Sequence, residues 1–271
     1  MGSEQQSYLI VGAGIFGVST ALHLRRSNPS AAVIILDRTP YPNPSAASHD
    51  LNKIVRADYD DLFYMKLALE ALEFWRNDPI YKPYYHETGM LFAENWGMGS
   101  RVLANYEIVG ADHKAEMLTP EIVRTGFDGI FGDANWTDVE ENFYNPNSGW
   151  GEADKCLQKM TEVAIQEGVI YVEATVTKLS IDSNRTCTGV QTEDGRELKA
   201  DHVVLCTGAR TALLLADTAP EDKDLQVNGR VVAAGAVTCC LRLNAERMGR
   251  LSKAPVMFNG MYHTHGLSQP I

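Results

Sequence analysis

Positive charge is scarce: 24 lysines and arginines stand against 35 aspartates and glutamates, a formal net charge of −11. A phosphate-binding face must be basic, so neither nucleic acid nor an anionic membrane is expected as a partner. Long apolar runs are missing too, and nothing approaches the roughly 20 residues that cross a bilayer. The opening MGSEQQS has neither the cationic nor the apolar region of a secretory signal. Gly2 invites N-myristoylation, but Gln6 stands where that signal needs Ser or Thr. The five cysteines, Cys156, Cys187, Cys206, Cys239 and Cys240, are odd in number and include no C-x-x-C pair. They read as reduced thiols of an intracellular protein, with no disulfide frame and no zinc site. Asn135 and Asn184 open glycosylation sequons that carry no weight without secretion. Repeats and low-complexity segments are absent. Apolar substance is plentiful, since 45% of the 271 residues are hydrophobic, enough for one large or two modest domains.

The most informative stretch runs from Tyr8 to Asp37. Tyr8-Leu9-Ile10-Val11 is a short apolar run, and Gly12, Gly14 and Gly17 follow in the spacing G-x-G-x-x-G. A helical pattern with Val18, Leu22 and Leu24 comes next and stops at Ser27-Asn28-Pro29. A second strand, Val33 to Leu36, ends in Asp37. Gly12 permits a tight turn, Gly14 lets backbone approach a pyrophosphate, and Gly17 lets the helix pack close to the sheet. The helix N-terminus offers free N–H groups and partial positive charge to phosphates. Asp37 suits a ribose diol, and its charge argues against a 2′-phosphate. A strand, a helix and an acid in these positions predict dinucleotide binding; a glycine-rich βαβ turn without a ligand is the plainer alternative.

Further along, residues 38–52 are polar and broken by prolines. From Asp60 a helix is expected, with Leu62, Met65, Leu69 and Leu72 on one face and Asn77-Asp78-Pro79 ending it. A loop leads to the strand-like MLFAEN. Residues 95–142 show no clear period apart from a short helix near Pro120 to Thr125. A helix from Glu152 to Glu167 presents Leu157, Met160, Val163 and Ala164, and Gly168 stops it. Val169 to Val172 and Val176 to Ile181 read as strands. Gly189 to Thr192 and Glu197 to Ala200 flank Asp194-Gly195, a hairpin signal. Val203 to Cys206 is an unbroken apolar run, expected to be buried in a parallel sheet, and it enters Thr207-Gly208-Ala209. Val231 to Leu243 and Val256 to Phe258 also read as strands. The helix, hairpin and T-G-A return resemble the second half of an FAD-binding domain, whereas an NAD-dependent dehydrogenase has no need of the hairpin. An ordinary strand-to-helix turn is the alternative for Thr207-Gly208-Ala209.

VGAGIFGVSTALHL, SAASHDLNKIVRADY, DPIYKPYYHETGML, NPNSGWG and VVLCTGA, in that order, resemble one family. It is the FAD-dependent amine oxidases of the D-amino-acid-oxidase type, in the branch of monomeric sarcosine oxidase, pipecolate and saccharopine oxidases and fungal fructosyl amino acid oxidases (amadoriases). The resemblance implies an α/β fold, α+β overall. A Rossmann-like FAD-binding domain with a central parallel sheet (residues 1–90 and 145–217) would interleave with a mainly antiparallel substrate domain (91–144 and 218–271). It further implies FAD contacts from Gly12, Gly14, Ile15, Phe16, Gly17, Asp37, Arg38, Ser45, Ser48, Asp50, Asn52, Lys53, Val176, Thr207, Gly208 and Ala209. Lys53 matches a cationic position near the flavin ring, where positive charge eases formation of the reduced, anionic form. Arg56 matches the arginine that holds the substrate carboxylate in the sarcosine-like enzymes, a task suited to a guanidinium fork. Solvated loop residues are the alternative for both. His49 and His86 read as local hydrogen-bonding residues.

The expected activity is oxidation of the C–N bond of a secondary amine or amino acid, with oxygen as acceptor and hydrogen peroxide released. A monomer acting on small molecules is anticipated, with no metal; Tyr262, His263 and His265 fall short of a metal site. Relatives of this type are longer. The resemblance puts the flavin-tethering cysteine, the oxygen-activating lysine and a glycine-rich segment with a substrate-binding lysine past Ile271. The expectation is therefore a C-terminally truncated chain, incomplete in its substrate domain, for which a non-catalytic flavin-binding remnant is the competing function. Gln269-Pro270-Ile271 is not a peroxisomal address, leaving cytoplasm or peroxisome open.

Overall fold

In a computed structural model that describes residues 5–94, 96–227, 229–235 and 238–259, the N-terminal apolar run forms β1 (Ser7–Val11). The glycine turn feeds α1 (Ile15–Ser27), and β2 (Ala32–Asp37) completes the βαβ unit. Next come β3 (Lys53–Val55) and α2 (Leu62–Asn77), where the N-cap Asp61 accepts the N–H groups of Phe63 and Tyr64. They are followed by β4 (Tyr85–His86), β5 (Met90–Glu94), α3 (Met98–Val109), β6 (Glu116–Leu118) and α4 (Pro120–Thr125). Two short strands, β7 (Glu141–Asn145) and β8 (Gly149–Gly151), lead into α5 (Ala153–Gln166). Then β9 (Ile170–Glu173) and β10 (Val176–Ile181) precede β11 (Cys187–Thr192), β12 (Glu197–Lys199) and β13 (His202–Leu205). Last are α6 (Thr211–Thr218), α7 (Ala245–Leu251) and β14 (Val256–Asn259).

The chain divides into two compact units, Met1–Leu51 with Ala153–Thr238 and Asn52–Glu152 with Cys239–Ile271. The first unit is built on a parallel sheet in the order β13–β1–β2–β9. Leu9 pairs with Val203 on one side and Ile34 on the other, so the N-terminal strand is central. Helix α1 packs on α5, and the bidentate Arg26–Glu167 pair closes at 2.7 Å across their C-terminal ends. Gly168, at φ +100°, turns the chain out of α5 as its position suggested. Leu9, Val11 and Leu36 from the sheet pack with Ala174 and Val190, the latter from the β10–β11–β12 hairpin sheet.

Strand β13 is parallel to β1 as expected, but the expectation that it is fully buried is corrected. Val203, Val204 and Leu205 are half-buried, because β13 is the outermost of the described strands of its sheet.

The second unit holds a sheet in the order β14–β5–β7–β6, antiparallel except for the β14–β5 pair. Met90, Phe92 and Phe143 on one face meet Met65 of α2 and Val102 and Tyr106 of α3. Leu91 and Ala93 on the other face meet Val123, Phe131 and Trp136. Strands β3 and β4 both pair with β8 in a small antiparallel sheet, which keeps both in this unit.

Helix α3 lies inside the stretch that showed no period. The buried Glu94 carboxylate accepts the N–H groups of Met98 (2.8 Å) and Gly99 and so starts the helix from the end of β5. The strand expected over Val231 to Leu243 is not formed. Its described residues, 231–235 and 238–243, carry no strand, and Val231, Val232 and Leu241 are exposed. An apolar run becomes a strand only where a neighbouring strand accepts its hydrogen bonds. The expectation for Tyr262, His263 and His265 lies outside the described residues. No described helix is long and apolar enough to cross a membrane.

Candidate functional site

The glycine turn lies at the carboxyl ends of β1, β2 and β13, in the first unit. Gly12 has φ +103°, and a Cβ there would stand 2.4 Å from the Cys206 carbonyl oxygen. A Cβ on Gly17 would stand 1.8 Å from the Gly12 carbonyl oxygen. Both positions therefore exclude any side chain, one for turning and the other for close packing of helix on strand. Gly14 is different: its Cβ would meet only the Ser48 hydroxyl, at 3.1 Å. Gly14 caps α1 without a side-chain bond, and the first turn of the helix has no acidic residue. The first turn of the helix thus sets no acid of its own against the positive end of the dipole. Ser48 accepts the Ile15 N–H at 2.9 Å and keeps its own O–H to donate. Phe16, 80% exposed, stands beside this turn.

Asp37 closes the other side. It is buried, and its carboxylate accepts the Ala13 N–H at 2.8 Å and the Asn43 amide at 2.7 Å. Asn43 in turn receives the Ser45 N–H (2.9 Å) and hydroxyl (2.8 Å), and Arg38 donates to Ser45 Oγ at 2.8 Å. The acid is therefore oriented by the loop that follows β2, and each of its oxygens keeps a lone pair for a further donor. Next to it an open cleft of about 290 Å³ is lined by Arg38, Glu173, Ala174, Thr175, Glu193 and Asp194. Arg196 pairs with Asp194 at 2.6 Å, and the carboxylates still outnumber the guanidinium groups, which favours hydroxyl and amino donors over another phosphate. Val176 packs into the sheet core, while its neighbour Thr175 lines this cleft.

The return strand brings Thr207 to within 3.3 Å (backbone N) of where a Gly12 Cβ would lie. Cys206 donates its N–H to Val11 at 2.8 Å, which fixes the register, and burial pushes the Cys206 thiol pKa up. Gly208 has φ +54° and open space where a Cβ would project; Ala209 beside it is exposed. The structure thus gathers Gly12, Gly14, Ile15, Phe16, Gly17, Asp37, Arg38, Ser45, Ser48 and Thr207 around one set of strand ends. Asp50 lies further along the loop and accepts the Asp154 N–H at 3.0 Å through its carbonyl.

Asn52, Lys53 and Arg56 belong to the second unit. Lys53 is exposed at the start of β3, opposite Gly151. Arg56 is half-buried just after β3. One of its N–H groups goes to the Asp58 carbonyl, and its guanidinium carbon lies 4.2 Å from the centre of the Tyr59 ring. No other described residue takes its remaining donors. A held guanidinium with an open fork is suited to bind a carboxylate in two places. His86 meets Glu152 at 3.0 Å and stacks on Trp150, a local role as expected.

Sequence reasoning passed over Asn43, which sits between two prolines in YPNPS and donates to the Asp37 oxygen that Ala13 does not reach. It also passed over Asp58 and Tyr59, whose signal was an acid and an aromatic directly after Arg56.

Comparison with known proteins finds relatives of the whole fold. L-saccharopine oxidase of Schizosaccharomyces pombe is 29% identical over 272 residues, 94% of this chain and 60% of that protein. The amino acid oxidase imqH of Aspergillus flavus is 28% identical over 254 residues, 78% of this chain and 53% of its own. Among solved structures, fructosamine oxidase (Amadoriase II) of Aspergillus fumigatus superposes with a TM-score of 0.72 at 26% identity, over 96% of this chain and 59% of that one. The chain thus spans about 60% of the saccharopine oxidase it matches. The profile of the FAD dependent oxidoreductases (DAO) matches residues 7–263, and the chain belongs to that family.

Proposed function

We propose that this chain binds FAD and serves oxidation of the C–N bond of a secondary amine that carries a carboxylate, giving an imine and, with oxygen, hydrogen peroxide. The carrying observation is the pair Gly12 and Gly17, each closed to any side chain, at a helix start free of acids and facing Asp37. The turn and the first N–H groups of α1 would hold the pyrophosphate, with the Ser48 hydroxyl as a further donor. Asp37 would accept a ribose hydroxyl, and the acidic cleft beside Arg38 would take the rest of the adenosine. A bound flavin would supply a two-electron acceptor. Arg56 orients the substrate through its carboxylate, and Lys53 contributes positive charge toward the reduced state. Saccharopine, for which the yeast relative is named, is itself a secondary amine flanked by carboxylates, in keeping with an open arginine fork.

The test is the absorbance spectrum of the purified protein before and after incubation with FAD, then peroxide release with sarcosine, pipecolate, saccharopine and a fructosyl amino acid. A flavin spectrum with peroxide from a carboxylate-bearing amine is expected. Absence of bound flavin after reconstitution refutes the proposal, and nicotinamide binding in its place would revive a dehydrogenase. Flavin without peroxide from any of the four would leave a binding protein without turnover.

A further inference from the structure

Resting on the reading of Arg56 as the partner of a substrate carboxylate, the geometry points to Asp58 as the positioning residue that keeps the Arg56 guanidinium in place with its fork open. Asp58 is completely buried. Its carboxylate accepts the Tyr106 hydroxyl at 2.9 Å, the Asn145 amide at 2.6 Å and the Ser148 hydroxyl at 2.6 Å. These donors come from three places: α3, the end of β7 and the turn before β8. The Asn145 amide also reaches the Tyr106 oxygen at 3.1 Å, so the donors are tied to one another.

What Asp58 holds still is the cradle of Arg56. Its carbonyl receives the Arg56 N–H, and the next side chain, Tyr59, lies under the guanidinium. The Tyr59 N–H returns to the Ala57 carbonyl at 2.9 Å, and Asn105 donates to the Tyr59 carbonyl at 3.2 Å, so residues 56–59 are fastened as one segment. The Asp58 side chain spends its oxygens on neutral donors and forms no ion pair with Arg56 among the described residues. The guanidinium therefore keeps its charge for a ligand. A buried carboxylate with no cationic partner is costly in a structural core. That cost makes sense here because three donors and a nearby cation together fix one backbone geometry. Both charges act on the same hydroxyl, since Asp58 raises the Tyr106 pKa and Arg56 lowers it, behind burial as the leading cause.

The test titrates the flavin-loaded chain with pipecolate and with piperidine, which is the same ring without the carboxylate, and reads the change in the flavin spectrum. Asp58→Asn places an amide N–H among donors and should weaken pipecolate binding about tenfold, with flavin content and piperidine binding unchanged. Tyr106→Phe and Ser148→Ala remove one donor each and should weaken pipecolate about threefold; they decide the matter should Asp58→Asn not fold. Arg56→Ala is the control. Loss of pipecolate binding in Arg56→Ala, with none in the Asp58, Tyr106 and Ser148 variants, overturns the role of Asp58 and leaves that of Arg56 standing. Unchanged binding in Arg56→Ala overturns both. Equal losses for pipecolate and piperidine would mark the cluster as structural only and overturn the inference.

Discussion

Replacing Gly17 with alanine should remove both stability and cofactor. The new Cβ would lie 1.8 Å from the Gly12 carbonyl oxygen, whereas real Cβ contacts stay above 3.0 Å, so helix and turn must part by about 1.2 Å. Neither partner is a flexible side-chain end. One is the backbone of the turn; the other is a helix seated through Val18, Ala21 and Leu22, exposed by 0%, 0% and 1%. Overpacking of this kind costs roughly 1–3 kcal/mol, against which the stiffer unfolded chain returns about 0.4–1 kcal/mol. The same shift withdraws the N–H groups of α1 from any phosphate, and each tenfold loss of affinity corresponds to about 1.4 kcal/mol. Gly14→Ala is the comparison. Its Cβ meets only the Ser48 hydroxyl at 3.1 Å, so stability should hold within about 0.5 kcal/mol while FAD affinity, on the proposed function, should fall. Urea unfolding followed by circular dichroism and FAD titration followed by flavin fluorescence separate the two quantities. A Gly17→Ala protein with unchanged unfolding midpoint and unchanged FAD affinity would refute this account of the turn.

Two other substitutions probe how the scaffold is held. Asp61→Ala removes the acceptor of two N–H groups at the start of α2 and should cost about 1 kcal/mol in urea unfolding, with flavin binding unaffected. Asp201, whose carboxylate accepts the Ser7 hydroxyl (2.7 Å) and N–H (2.8 Å), has its pKa lowered below the ordinary 3.8 chiefly by that hydroxyl. A depressed carboxyl pKa adds stability above the unfolded value and loses it as pH falls through the folded one. Asp201→Asn should thus be less stable than the parent at pH 7, and the gap should close on acidification below about pH 4; a gap constant with pH would contradict the assignment.

Legibility in the sequence followed the range of the interactions. The βαβ unit, α2, α4, α5 and the β11–β12 hairpin were readable because local patterning, caps and turn residues specify them: Asp61 at an N-cap, Gly168 at a helix end, Asp194-Gly195 in a hairpin. Helix α3 escaped because its start depends on Glu94, a strand residue whose burial and orientation only the sheet determines. The Val231 to Leu243 run misled for the opposite reason. Its β-branched composition suits a strand, but pairing is a property of neighbours, and none of the described strands lies alongside it.

The candidate site divides in the same way. Glycines announce themselves, since a position that tolerates no Cβ leaves one residue type, and two such positions, Gly12 and Gly17, at fixed spacing around a helix start carry a geometry with them. Arg56 was visible only as a residue type; nothing in a linear string says that its guanidinium rests on the Tyr59 ring or that no other described residue takes its remaining donors. Asp58 was invisible, because its partners Tyr106, Asn145 and Ser148 are 48, 87 and 90 residues away and meet only once β7 and α3 have packed. On the proposed function, recognition of the cofactor is thus written locally, whereas orientation of the substrate depends on tertiary packing. Substitutions in the core of the second unit should therefore alter substrate preference long before they alter which cofactor is held.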